Sequence, residues 1–178
     1  MLRPALIILF IVAGVACGGS YDDLEKAFPA KSELKPRMVA SRTIVLTGKY
    51  HSGAENLRGV ANVGLTSGFV EIGADKPFAL MYSKIQIPVD AITGCSKTCF
   101  GPSKWDADLL LNDVGIDIGI ENSQDVLDWC WDNGLPLISS SARRAWMYEG
   151  KGLPSKTGYV RVSKDEYTSQ TRSACMGY

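Results

Sequence analysis

The residues with the most evident chemical capacity in this chain are one histidine, five cysteines and a row of alternating carboxylates. His51 lies within Lys49-Tyr50-His51-Ser52-Gly53 and is the only imidazole. A Ser-His-Asp device would need it as the base, since imidazole supplies base strength near neutral pH in such an arrangement. No Gly-x-Ser-x-Gly elbow is present to offer a nucleophile, and Gly53 with its polar neighbours assigns His51 to a loop between strands. The acids Asp106, Asp108, Asp113, Asp117 and Glu121 invite a calcium site or an acid–base pair. A calcium loop of the EF-hand kind needs Asp-x-Asp-x-Asp-Gly and a late Glu, and that order is absent. Alternation with Leu and Ile instead assigns these acids to the solvent face of a hairpin. Thr47-Gly48-Lys49 is a fragment of a phosphate-binding loop without its upstream glycine. Lys49 and Arg58, with His51 between them, are a sparse basic set for an anionic headgroup. No catalytic residue and no cofactor site emerges.

The cysteines are more telling. With Cys17 set aside for reasons given below, Cys95, Cys99, Cys130 and Cys175 remain. In an oxidising compartment they permit two disulfides in more than one connectivity. Cys95 and Cys99 in one straight strand would stand about 13 Å apart at roughly 3.3 Å per residue. A disulfide needs Cα atoms within about 7 Å. Either the chain bends at Ser96-Lys97-Thr98, or each cysteine pairs elsewhere. Zinc is disfavoured, because no Cys-x-x-Cys pair and no nearby His supplies the usual ligand spacing.

Export is the strongest expectation. Arg3 provides a positive start, and Ala5 to Ala16 is a run of twelve residues without a polar side chain. Twelve helical residues span about 18 Å, short of a hydrocarbon core of roughly 30 Å but suited to a signal sequence. Ala13-Gly14-Val15-Ala16-Cys17 resembles the lipobox of bacterial lipoproteins, with Gly14 where such boxes usually carry Leu. The resemblance implies lipidation at Cys17 and a periplasm-facing protein held at a membrane of the cell envelope. Cleavage after Ala16 and an uncleaved anchor are the alternatives. The chain of 178 residues is 46% hydrophobic with balanced charge, which fits one globular domain and excludes a wholly disordered chain. Zero net charge also argues against a strongly basic nucleic-acid binder.

The elements that must position these residues follow from periodicity. Leu24, Ala27 and Phe28 share helical spacing, with Asp22 and Asp23 in a first turn and Pro29 as the stop, so residues 18–39 read as a short helix and a linker through Pro36. From there the period is two. Ile44-Val45-Leu46 centres one strand, and Val60, Val63 and Leu65 lie in the next. Thr66-Ser67-Gly68 is a tight turn into Phe69-Val70-Glu71-Ile72. Ile85, Ile87 and Val89 alternate with Gln86 and Pro88, and the proline indicates a sheet edge. That edge makes Gln86 a candidate for peptide binding by strand addition. Leu109 to Ile120 reads as a hairpin through Asn112-Asp113, with Gly115 and Gly119 at bends or close backbone approaches. A helix follows, capped by Asn122 or Ser123, with Val126, Leu127, Cys130 and Trp131 on one face and Gly134 and Pro136 at its end.

The stretch Val63-Gly64-Leu65-Thr66-Ser67-Gly68-Phe69-Val70-Glu71-Ile72, followed by Ile85-Gln86-Ile87-Pro88-Val89-Asp90-Ala91-Ile92, resembles pleckstrin-homology-like (PH/GRAM-type) domains of bacterial envelope proteins. It departs from them by carrying Val89 where Trp is usual. The resemblance covers roughly residues 40–138 and implies an α+β fold: a bent antiparallel barrel of about seven strands with a C-terminal capping helix. Such barrels bind lipids, peptides or neither, so the fold alone names no function.

Residues 139–178 carry seven basic against three acidic side chains, interleaved with Trp146, Tyr148, Tyr159, Tyr167 and Tyr178. This basic, aromatic extension either rests on anionic lipid or packs back on the acidic barrel, tied by Cys175. Ser139-Ser140-Ser141 reads as its hinge, and Tyr159-Val160-Arg161-Val162 as a short strand. The expected function is therefore a non-enzymatic envelope lipoprotein acting as a binding or structural module. Its expected partners are the membrane, through the N-terminal lipid or anchor, and an envelope protein or anionic lipid. A hydrolase or transferase accessory using His51 is the alternative.

Overall fold

The computed structural model describes residues 20–39, 43–49, 54–99, 105–121, 124–153 and 162–168. Helix α1 (Ser20–Ala27) precedes nine strands, β1 (Arg37–Met38), β2 (Thr43–Gly48), β3 (Ala54–Arg58), β4 (Ala61–Leu65), β5 (Phe69–Ala74), β6 (Ile85–Pro88), β7 (Gly94–Cys99), β8 (Trp105–Leu111) and β9 (Ile116–Glu121). Helices α2 (Gln124–Asp132), α3 (Ser140–Glu149) and α4 (Lys164–Thr168) follow. Every strand pair is antiparallel, in two sheets ordered β1-β4-β5-β6 and β3-β2-β9-β8-β7.

The α+β class and the antiparallel pairing agree with the sequence. The barrel does not: among the described residues the strands number nine rather than about seven, and the two sheets do not close on one another. The strands that periodicity does not mark are those that lack a clean apolar alternation. β1 has two residues, and β3 and β7 carry Glu55, Asn56, Arg58, Ser96, Lys97 and Thr98. β3 and β4 are joined by a turn through Gly59 (φ 70°), yet belong to different sheets.

Alternation elsewhere builds the core. Ile44 and Leu46 of β2, Leu109 and Leu111 of β8, and Ile116, Ile118 and Ile120 of β9 turn to one face and are buried together. Val63, Leu65, Val70, Ile72, Ile85 and Ile87 complete that core from the other sheet. The β4–β5 turn forms where expected, with Thr66 N donating to the Phe69 carbonyl and Phe69 N to Thr66 Oγ1. The β8–β9 turn passes through Gly115 at φ 67°, a left-handed conformation that glycine adopts without strain. β6 is a sheet edge, as Pro88 indicated.

Helix α1 is part of this core rather than an outlying element, because Tyr21 and Leu24 are buried in it. After Pro29 the chain is not a free linker either, since Pro29 bridges to Ile85. Helix α2 buries Val126, Leu127, Trp129 and Cys130, while Trp131 is half-buried. Gly134 (φ 68°) ends it, with Leu135 N donating to the Cys130 carbonyl. Cys130 forms a disulfide with Cys95 of β7, with Cα atoms 6.5 Å apart. Cys95 and Cys99 occupy opposite ends of β7, so the spacing argument holds and Cys95 pairs elsewhere.

Ser139 is not a hinge but the N-cap of α3, its hydroxyl accepting from Ala142 N. Helix α3 lies against β7, and Trp146 and Met147 pack with Leu110 and Ile138 in a second small core. Tyr167 of α4 is buried in the main core, so residues 140–149 pack on β7 and residues 164–168 pack on α2. Residues 159–161 of the expected short strand lie outside the described residues.

The Cys95–Cys130 bond closes a separation of 35 residues, for which chain entropy alone gives about 4 kcal/mol of stabilisation. Denaturant unfolding of Cys130→Ala should show a loss of about that size, and Cys95→Ala/Cys130→Ala should lose little more than either single variant.

Candidate functional site

The alternation that sends Ala107, Leu109 and Leu111 inward leaves Asp106 and Asp108 on the outer face of β8, with Asp117 and Gly119 beside them on β9. The sequence assigns that face to water, and the structure corrects it: Asp106, Asp108 and Asp117 are 6%, 1% and 1% exposed. The cover is helix α3. Of the five acids, Asp113 in the turn is exposed and Glu121 is half-buried.

Among the described residues, the guanidinium of Arg143 organises this pocket of charge. Arg143 Nη2 meets Asp117 Oδ2, and its Nε lies 3.6 Å from Asp108 Oδ2. Thr98 Oγ1 donates to Asp108 Oδ2 at 2.5 Å. Gly119 sits opposite Asp108 across the ladder, where a Cβ would lie 3.2 Å from Asp108 Oδ1, so the missing side chain makes room for the carboxylate. Desolvation acts most strongly on both acids and raises their affinity for a proton. Asp117 is pushed up to about 6 against the pull of Arg143. Asp108 is raised well above the usual carboxylate range, first by burial and then by the charge of Asp117. One cation facing two carboxylates in low dielectric favours retention of a proton. The arrangement locks α3 onto the sheet, and among the described residues no group of His, Cys, Asp and Glu is placed to hold a metal ion.

The edge of β6 is occupied by the chain itself. Gln86 N donates to the Phe28 carbonyl, and Ala30 N donates to the Lys84 carbonyl. The Gln86 side chain completes the seam: Oε1 accepts from Lys31 N at 2.9 Å and Ser32 N at 2.8 Å, while Nε2 donates to the Ser32 carbonyl and to Glu71 Oε2. A groove of about 270 Å³ lies beside this seam, lined by Phe28, Pro29, Phe69, Gln86 and Pro88 among others. Strand addition at Gln86 would therefore require displacement of residues 28–32.

The other sequence candidates do not converge. Lys49 follows the last residue of β2, with its Nζ 5.7 Å from the Trp146 ring centroid, which ties it to α3. Arg58 is exposed at the end of β3. Cys17, His51 and Cys175 lie outside the described residues, and Cys99 is described only as the last residue of β7. Compared with known protein families and with curated proteins, the chain matches none. Its site is thus described by its own geometry.

What sequence reasoning missed was Arg143, Thr98 and the burial of the acids. The available signal was Gly119, flanked by isoleucines in a strand whose partner carries Asp106 and Asp108.

Because Asp108 and Asp117 bind protons more readily when folded, stability from them is greatest at low pH and falls as pH rises, for Asp117 through about 6. Thermal unfolding from pH 5 to 8 should therefore show a falling contribution in the native protein that Asp108→Asn flattens. Arg143→Met should cost about 3–5 kcal/mol at pH 8, as expected when one partner of a buried pair is removed, and less at pH 5. At the other site, Gln86→Ala removes two bonds to backbone amides worth about 1 kcal/mol each, so hydrogen exchange at Lys31 and Ser32 should quicken by about tenfold or more.

Proposed function

We propose that this chain is an exported module held at a membrane of the cell envelope, and that it works by binding or scaffolding rather than by catalysis. The observation that carries the reading is the buried Cys95–Cys130 disulfide, since such bonds persist in oxidising compartments and are rare in reducing ones. The apolar run from Ala5 to Ala16 ending at Cys17 supports the same compartment and lipidation at that cysteine.

A PH-like framework is supported by the order of the antiparallel units. Hairpin β2–β3, meander β4–β5–β6 and meander β7–β8–β9 succeed one another, β9 returns to pair with β2, and α2 then crosses to the sheets. Added strand β1 and the separation of β3 from β4 are this chain's departures. A scaffolding role is favoured over the His51-based alternative because the buried acids and Gln86 are engaged in contacts that hold the fold. The groove beside Phe28 and Pro88 favours an extended, apolar peptide segment as the ligand.

Intact-mass spectrometry of the protein from its native envelope, before and after reduction with thiol alkylation, tests the reading. The expected species begins at Cys17 with added acyl mass, and thiols at Cys95 and Cys130 appear only after reduction. Free thiols at both positions in the native envelope would overturn export. A retained Met1 would replace the lipid by an uncleaved anchor.

A further inference from the structure

We infer that the β5–β6 loop, through Phe78, Leu80 and Met81, is a second and apolar foothold of this chain on the bilayer that holds its N-terminus; the inference rests on the anchored reading above. Leu80 is 92% exposed, Met81 74% and Phe78 41%. Three large apolar side chains within four consecutive positions, turned to water, mark a contact surface more than a solvated loop. The loop does not lack structure that could bury them. Residues 78–80 form a 3-10 turn in which Leu80 N donates to the Pro77 carbonyl, and Met81 N and Tyr82 N to that of Phe78. The backbone is hydrogen-bonded with these side chains outward.

The start of α1 is fastened beside this loop. Tyr21 OH donates to the Ser83 carbonyl at 2.5 Å, and the Tyr21 ring meets the Tyr82 ring edge-on with centroids 4.9 Å apart. Tyr21 is the fourth residue after Cys17. At a maximum of about 3.6 Å per residue, four residues span about 14 Å. A membrane surface at Cys17, reached by lipid or by an uncleaved apolar run, therefore lies within about that distance of Tyr21, whose side chain in turn touches Tyr82 and Ser83 at the end of the loop. Few other arrangements are open to so short a tether. Charge selects the kind of contact. Asp22 and Asp23 are exposed in the first turn of α1, while Lys76 and Lys84 flank the loop, and Lys84 pairs with Glu71. With carboxylates so near the anchor point, attraction to anionic headgroups is offset, so the foothold is made by apolar insertion and forms on zwitterionic lipid.

The test uses the full chain reconstituted into phosphatidylcholine vesicles. An environment-sensitive fluorescent amino acid is placed at position 80, or in a separate preparation at position 113 in the β8–β9 turn. Nitroxide-labelled lipid should quench the probe at 80 several-fold more than the probe at 113, and molar salt should leave that difference unchanged. Vesicles that carry the chain but quench both probes equally would overturn the foothold and leave the anchor intact. Quenching at 80 that salt abolishes would overturn apolar insertion. A chain that fails to float with the vesicles would overturn both readings.

Discussion

Helix α2 is pinned to both sheets at once, and the two sheets depend on it because neither closes on the other. Cys130 is bonded to Cys95 in the five-stranded sheet. Trp129 Nε1 donates to the carbonyl of Thr66, in the turn between β4 and β5 of the four-stranded sheet. Between those ties, Val126 and Leu127 enter the common core. Apolar burial is non-directional, so it draws a helix against the sheets without fixing its rotation. The disulfide and the indole fix it. The Arg37–Asp125 pair, at 2.9 Å but largely exposed, adds little by comparison. Lys164 lies over the Trp131 ring and reaches Asp132, so α4 is hung from the outer side of the same helix.

The five-stranded sheet is covered on its second face too, and there the chemistry differs. Sheets buried on both faces are usually apolar on both. Here the outer face presents Asp106, Asp108 and Asp117 to helix α3. Taking these acids out of water is costly, and one guanidinium between two of them offsets part of that cost. Apolar residues of similar volume would cover the face with less penalty. What the cluster supplies is placement. Only one register of α3 sets Arg143 between Asp108 and Asp117 while Trp146 reaches Leu110 and donates to Asn112 Oδ1.

The sequence made strands legible where alternation was clean, as in β2, β4, β5, β8 and β9, and it made turns legible through Thr66-Ser67-Gly68 and Gly115. It also showed that Cys95 and Cys99 could not pair in one strand. Three features were hidden for physical reasons. β7 carries Ser96 and Lys97 at positions that other elements cover, while β3 is mostly exposed and buries only Leu57, so neither shows an apolar period. The acids of β8 and β9 alternate with Leu and Ile in the same way whether the outer face meets water or a helix, and the covering helix lies more than twenty residues further along the chain. Ser139 gives the same signal as a hinge serine and as a helix cap, and only the Ala142 amide distinguishes them.

The β6 edge shows how the N-terminal stretch is built into the fold. A strand of four residues ending in proline presents a short row of unpaired groups, and unpaired edges invite association with other chains. Residues 28–32 fill that row, and Gln86 reads three backbone groups of the segment through one side chain. The seam continues at Gly64, where a Cβ would lie 2.5 Å from Pro36 Cγ, so the residue-free surface of that glycine is what lets the segment pass. From Tyr21 to Met38 the chain is thus in contact with core, edge or β4 along most of its length. Helix α1 is fastened at its first turn by the Tyr21–Ser83 bond and the segment after it by the β6 seam, so along this stretch the end of the β5–β6 connection and the start of the described chain are joined without a free linker between them.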